Sequence, residues 1–335
     1  MCMLHTRVCD LFGIRHPVLL GGMASGTTPE LVAAVSNAGG LGNHGVAGRS
    51  PAEVQSIAAR IREGTQKPFG LNLLLFMAGE DAVQATLDAH APVFSTAWPT
   101  PEQDLAPLFA RAHDAGARVV HMVSTVPEAR RAAEAGADAI VAQGTEGGGH
   151  VGVMGTIVLV PMVVRAVAPL PVIAAGGIAD GAGLAAALML GADGVLLGTR
   201  LLATPESPLP ESYRQAICRS DGHDTLLTEL PDVIAGRVWP GAYARVLRTG
   251  FIQEWLGREG EVRADRAELN RRLQRAREAG DVNNGALLIG QDAGLIDSVR
   301  PAASVIESMV AEAEELLTTR PAWVVSPTAP TPLPG

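Results

Sequence analysis

Short aliphatic runs recur along residues 1–200, and each passes through a polar or glycine switch into an alanine-rich helical pattern. Such units bury both faces of a strand only when the strands lie parallel and the helices pack outside them. The runs are PVLLGGM ending near Met23, GGLGNHG around residues 41–44, FGLNLL around Asn72 and PVFSTAW ending near Trp98. RVVHMVS then ends near Ser124, AIVAQG near Gln143, PVIAAGG near Gly177 and GVLLGT near Thr199. Eight parallel strands with intervening helices predict an α/β chain closed as a (β/α)8 TIM barrel rather than an open doubly wound sheet. The helical pieces agree with this count. In TPELVAAVSNAGG, Thr28 stands as N-cap, Pro29 in the first turn and Gly39 past the end. ARAHDAGARVV, ARRAAEAGADAIV and LAAALMLGADGVLL share a helix, a glycine stop and the next strand, which is an internal βα repeat.

After Thr199 the pattern changes. Residues 201–300 hold proline-rich turns and a charged helical run, with no further strand of the barrel type, and read as an inserted, mainly helical subdomain on the substrate side. It is expected to cover one mouth of the barrel formed by residues 1–200. ASVIESMVAEAEELL predicts a C-terminal helix over 301–320 packed on the barrel, and 321–335 reads as a Pro-rich, disordered tail.

The net charge of -9, without a Lys/Arg run or stripe, argues against nucleic acid or an anionic membrane as partner. The three cysteines show no metal spacing, and a metal centre lacks a ligand cluster. With no leader-like start and no stretch of about 18 uninterrupted apolar residues, the chain reads as cytoplasmic. A small-molecule substrate is the expected partner, and a homodimer the candidate assembly.

In a closed parallel barrel the strand C-termini and their loops form the active face. AAGGIADG (174–181) and LLGTR (196–200) follow strands seven and eight, where bare amides and a helix start can take a phosphate. Gly176, Gly177, Gly198 and Thr199 are the candidates there; the alternative is that the glycines only make tight turns. Asn72 and Gln143 place carboxamides at strand ends, and a group that both donates and accepts suits the edge of a flavin or another heterocycle. Either can instead satisfy barrel backbone. Ser124 ends strand five.

His44 and His150 are the histidines expected in loops of the active face, where an imidazole can serve as acid, base or hydrogen-bond donor. His150 follows the run Gly147-Gly148-Gly149, which leaves room beside bare backbone. Glu146 either orients His150 or caps the loop. No GxSxG elbow is present, and no strand-end aspartate is placed to pair with His150. No GxGxxG follows the first strand, which speaks against a Rossmann cofactor domain.

With these residues in place, the chain resembles the nitronate monooxygenase family of FMN-dependent barrels, related to enoyl-acyl-carrier-protein reductase II and NADH:quinone reductases. The resemblance runs from FGIRHPVLLGGM to GQDAGLIDSVRPAASVIESMV and is densest at AQGTEGGGHVG, PVIAAGGIADG and GADGVLLGTRLLATPES. It implies FMN, with Gly22, Met23, Asn72 and Gln143 toward the isoalloxazine and Gly148, Gly177, Gly198 and Thr199 at the phosphate and ribityl end. It implies His150 as the catalytic histidine and O2 as co-substrate in nitronate oxidation; NAD(P)H would serve a reductase of enoyl thioesters or quinones.

The chain also departs from the family, whose best-known bacterial members bring tyrosines and a lysine from beyond the barrel to the substrate. Here Tyr213 and Tyr243 are the only tyrosines, and residues 201–300 contain no lysine. Trp239, Tyr243, Arg245 and Arg248 are therefore the substrate-side candidates, with His44 beside them. Two other classes stay open: a flavin-free barrel lyase or isomerase binding a phosphorylated metabolite, and a flavin-binding protein with little turnover.

Overall fold

The computed structural model describes residues 4–324. Its strands in chain order are β1 (Val18–Leu20), β2 (Gly42–Gly45), β3 (Phe69–Leu74), β4 (Val93–Ala97), β5 (Arg118–Val123) and β6 (Ala139–Gln143). They continue with β7 (Gly149–Val151), β8 (Val172–Ala175), β9 (Gly194–Leu197), β10 (Thr225–Thr228) and β11 (Tyr243–Leu247). The eight-stranded sheet runs β1-β9-β8-β6-β5-β4-β3-β2, and its pairings are parallel. Its two ends meet at the parallel bridge between Leu19 and Leu41, where Leu20 N–H donates to the Leu41 carbonyl at 2.9 Å. The expected eight-stranded barrel is thereby closed.

Strand parity sorts the core into two layers. Leu19, Leu41, Val93, Val120, Val141 and Ile173 fill the barrel interior, and the short helix Arg7–Phe12 plugs that core with Val8, Cys9 and Phe12. The opposite parity (Val18, Leu20, Leu71, Phe94, Val119, Ile140, Val172) packs against the outer helices. Local chemistry starts those helices, at Thr28 as expected from the sequence and at Thr125 and Asp180 as the structure adds. Thr28 accepts from Leu31 N–H, Thr125 forms a capping box with Glu128, and Asp180 accepts from Gly183 N–H.

Residues 201–300 carry the helices Glu211–Arg219, Leu230–Ala235, Gly250–Trp255 and Glu259–Glu278. They also hold β10 and β11, which lie outside the barrel and pair antiparallel with each other. β11 pairs in turn with β7, so the glycine-rich loop after β6 is drawn into a three-stranded sheet. The last helix spans Ala302–Val324 and packs on the helix Gly181–Met189; Glu312 accepts from Gly181 N–H at 2.8 Å. That helix takes in residues 321–324 of the segment read as tail, and 325–335 lie outside the described residues. Among the described residues, no helix is long and apolar enough to cross a membrane.

Candidate active site

A cavity of about 330 Å³ opens at the strand C-termini. Its floor follows from parity: Asn43, Asn72, Ser95, Met122, Gln143 and Ala175 point into the barrel one layer above the apolar plug. The Asn72 amide donates to Ser95 Oγ at 3.0 Å. Gly22 packs flat on Asn72, and any Cβ at that position would collide with the Asn72 Cβ. Asn43 Oδ1 and Gln143 Oε1 are buried there without a hydrogen-bond partner. Buried acceptors left unmatched cost about 1–3 kcal/mol each, so two in one cavity mark it as built around a polar guest.

One end of the cavity is walled by glycine. Gly176 and Gly177 take φ of 95° and 76°, a backbone that β-carbon-bearing residues rarely adopt. Gly147, Gly148, Gly198 and Thr199 complete this end. The Thr199 hydroxyl accepts from Gly290 N–H at 2.9 Å and donates to Asp292, tying the 290–292 loop to the start of the helix Thr199–Leu202. The Asp292 carboxyl is pushed up to about 7, chiefly by burial, with the Thr199 hydrogen bond pulling the other way.

His150 hangs over the cavity from β7. Its Nε2 lies 2.8 Å from Asp232 Oδ1, and its ring stacks on Trp239 with centroids 3.4 Å apart and planes 9° from parallel. Trp239 is backed by Phe76 at 4.7 Å and meets Trp98 edge-on at 6.0 Å. A carboxylate can only accept, so the nitrogen facing Asp232 carries the proton and Nδ1 is left as the acceptor of a neutral ring. Asp232 belongs to the helix Leu230–Ala235 and is separated from His150 by 82 positions. The expectation concerned strand-end aspartates alone; the partner comes instead from the inserted segment.

Glu146 has the other of its two anticipated roles. Its carboxylate accepts from Thr156 N–H at 2.9 Å and from the Thr156 hydroxyl at 2.8 Å, capping the helix Thr156–Val167. It does not touch His150.

The structure brings Gly22, Met23, Asn72, Gln143, His150, Gly148, Gly176, Gly177, Gly198, Thr199 and Trp239 to one cavity. It leaves five sequence candidates off the cavity wall, among them Arg248, which is exposed beyond the end of β11. Ser124 is buried against Gly152, with both its N–H and hydroxyl given to Glu128. His44 alternates with Asn43 and so faces outward, its Nδ1 on the Gly45 carbonyl at 2.9 Å; burial lowers its pKa to about 4. In the β11–β7 pair, Ala244 stands opposite His150, whereas Tyr243 and Arg245 stand opposite Val151 and Gly149. Cross-strand partners share a face and neighbours alternate, so Tyr243 and Arg245 take the face that His150 does not. Tyr243 is exposed, and Arg245 is buried with its guanidinium on the Thr145 carbonyl and the Thr225 hydroxyl. Arg245 therefore holds the loop that carries His150.

A family model described as Nitronate monooxygenase matches residues 5–82 and 76–312 of the chain. The chain belongs to the nitronate monooxygenase family. Its members are oxidoreductases, and this protein is an enzyme of that class. Among curated relatives, (3aS,4S,5R,7aS)-5-hydroxy-7a-methyl-1-oxo-octahydro-1H-indene-4-carboxyl-CoA dehydrogenase of Mycobacterium tuberculosis is 35% identical, with 96% of this chain and 99% of the relative covered. Among solved structures, FabK from Thermotoga maritima superposes with a TM-score of 0.85 at 38% identity, covering 95% of this chain and 99% of the other. A nitroalkane oxidase from Streptomyces ansochromogenes gives 0.80 at 29% identity, covering 93% and 99%.

Within this family member, sequence reasoning missed Asp232, Ser95, Trp98, Arg237, Arg277 and Asp292 as cavity or site residues. Parity along β4 was a usable signal for Ser95, since it shares a face with the interior-facing Val93 two positions earlier. Nothing local marks Asp232, which reaches His150 only through the pairing of β7 with β11.

Proposed function

We propose that the protein is an FMN-dependent oxidoreductase acting on a carbon atom next to an electron-withdrawing group, with His150 handling the proton at that carbon. The observation that carries this reading is the fixed imidazole: Asp232 and Trp239 hold His150 over a cavity with two unpaired carboxamide oxygens in its floor. Those floor groups fit a flavin, whose heterocycle offers donors to Gln143 and Asn43 and acceptors to carboxamide N–H groups. The glycine-walled end at Gly176, Gly177 and Gly198 suits the phosphate-bearing tail, which needs close backbone approach. When bound, FMN supplies electron transfer in steps of one or two, which no side chain here provides.

The protein's own groups do the rest. Nδ1 of His150 accepts a proton from the substrate carbon, or returns one through the same nitrogen. The Asp232 carboxylate at 2.8 Å offsets the positive charge that the ring then carries. Trp239, Trp98 and Phe76 exclude water from that side and keep the imidazole plane fixed.

Nitroalkanes, the conjugate acids of nitronates, and acyl thioesters both present such a carbon; a preformed nitronate enters with that proton already removed. Nitronate oxidation with O2 is the reading supported by the family model and the nitroalkane oxidase neighbour. Thioester chemistry is favoured by a carboxyl-CoA dehydrogenase relative matching over nearly the whole length. It is also favoured by the tyrosines, neither of which offers its hydroxyl to a nitronate. The Tyr213 hydroxyl donates to the Asp281 carbonyl at 3.2 Å and Tyr243 points outward. Anaerobic mixing of the flavin-loaded protein with propyl-2-nitronate, NADH, NADPH and an acyl-CoA, following the flavin spectrum, separates these readings. A colourless protein after expression with FMN available sinks both.

A further inference from the structure

The outer rim of the cavity carries arginines that the chemistry at His150 does not use. Arg237 and Arg277 line the cavity directly. Arg266 lies with its guanidinium against Gly236, next in sequence to Arg237. Arg266 and Arg277 share the helix Glu259–Glu278, and their spacing of eleven residues returns them to the same face about 16 Å apart along the axis. Together the three make a strip, not a point.

The cations of this strip have been left over by the surrounding ion pairs. Glu261 takes Arg258, Glu268 takes Arg271 and Arg275, and Glu254 takes Arg272. Asp232, the carboxylate nearest Arg237 in sequence, is engaged by His150. Among the described residues, Arg237 and Arg266 have no side-chain hydrogen bond or ion pair, and Arg277 holds only the hydroxyl and carbonyl of Ser25. In a chain of net charge -9, guanidinium groups kept clear of carboxylates at a cavity mouth attract anions and steer them inward. A single small anion cannot span the strip. Guanidinium forks match phosphate oxygens in pairs, and several phosphates spaced along a nucleotide match several forks.

We propose that Arg237, Arg266 and Arg277 dock the phosphates of a nucleotide-tailed substrate, one carrying a pyrophosphate and a ribose phosphate. Its reactive end enters the cavity toward His150. Coenzyme A thioesters and phosphorylated nicotinamide nucleotides share this chemistry. The proposal rests on the reading of the cavity as the reaction site, but the docking itself needs no electron transfer.

The test is calorimetric titration of the flavin-loaded protein with three non-reactive probes: adenosine 3′,5′-bisphosphate, adenosine 2′,5′-bisphosphate and AMP. At least one bisphosphate is expected to bind ten-fold or more tightly than AMP, and to weaken by a similar factor between about 50 and about 300 mM salt. Preference for the 3′ isomer identifies a coenzyme A thioester, and preference for the 2′ isomer a phosphorylated nicotinamide. The R237Q/R266Q/R277Q variant is expected to lose the bisphosphate preference, whereas R258Q, which removes a paired arginine from the same region, keeps it. Equal binding of AMP and both bisphosphates, or an unchanged preference in the triple variant, or an equal loss in R258Q, overturns the proposal. Intact bisphosphate binding in a protein whose flavin no donor reduces would instead count against the proposed reaction and leave the docking strip standing.

Discussion

His150 and Asp232 meet across 2.8 Å although one stands on the loop after the sixth barrel strand and the other on a helix of the inserted segment. The pair exists because β7 hydrogen-bonds to β11, which brings the inserted segment over the barrel mouth. An Asp232→Asn substitution keeps the shape but can present an N–H to Nε2, which moves the imidazole proton to Nδ1 and removes the acceptor. A fall in kcat of roughly 10²–10⁴ is expected. Nitrogen NMR of the His150 ring should show the Nε2–H tautomer in the parent and its loss in the variant. An unchanged tautomer together with an unchanged rate would refute the role given to Asp232.

Trp239 fixes the second degree of freedom of the same ring, its tilt. Stacked aromatic pairs contribute about 0.5–1.5 kcal/mol beyond their buried area. Trp239→Ala is therefore expected to lower kcat/KM about ten-fold or more, with Trp239→Phe retaining most of it. The Asp232→Asn/Trp239→Ala double variant should lose less than the product of the single effects, since both act through one imidazole. Fully independent effects would separate Trp239 from His150 function.

Two neighbouring glycines should respond to alanine for different reasons. At Gly148 a Cβ would lie 2.5 Å from the Gly290 nitrogen and 2.5 Å from the Ile289 carbonyl carbon, and backbone on both sides cannot yield. At Gly149 nothing lies within 4 Å, but φ is +74°. Gly148→Ala is expected to cost about 1–3 kcal/mol and to loosen the 289–292 loop from the glycine wall. Gly149→Ala should cost only about 1 kcal/mol of backbone strain. Chemical denaturation of the two variants checks the order; a costlier Gly149→Ala contradicts it.

Acid should destabilise the fold through two buried histidines. Burial lowers His44 to about 4 and His121, which sits beside the Thr96 hydroxyl, to about 3. Both ordinarily titrate near 6.5, so below that pH the unfolded chain binds protons that the folded chain refuses. Stability contributed by the neutral rings is present above about pH 6.5 and is lost progressively toward pH 4 and 3. His44→Gln is expected to make the unfolding free energy less steep in pH between about 6.5 and 4, as read from urea titrations across that range.

Asp292 works with the opposite sign. Its folded pKa of about 7 lies above the ordinary value near 3.9, so between those limits the folded chain holds the extra proton. Its contribution to stability therefore falls as pH rises from about 4 to 7. Asp292→Asn removes this term, and its advantage over the parent should be larger at pH 8 than at pH 5 by at most about 3 kcal/mol. Thermal melts at the two pH values decide the matter, and an equal shift at both would show that Asp292 ionises freely in the fold.

Much of the molecule was legible before folding because the information was local. Eight strands, their order and the cap at Thr28 follow from periodicities of two and 3.6 and from residues three positions apart. The same local logic carried Asn72, Gln143, Gly177 and Gly198 to the cavity wall. It failed at His44 and Ser124 for a local reason too. One step of strand parity turns His44 away from the cavity, and the carboxylate of Glu128 takes up Ser124.

The chain's alternation of short β-branched runs, glycine stops and alanine-rich helices is enough by itself to specify a parallel barrel and the end at which chemistry belongs, because hydrophobic periodicity and capping act between near neighbours. What His150 can do was decided only by tertiary structure. Its proton-bearing nitrogen, its ring plane and the cations at the rim come from Asp232, Trp239, Arg237 and Arg277, which lie 82 or more positions away or beyond a strand pairing that no local pattern announces. Those contacts arise when an antiparallel sheet forms across the barrel mouth, and long-range pairing of that kind is set by the closure of the whole chain.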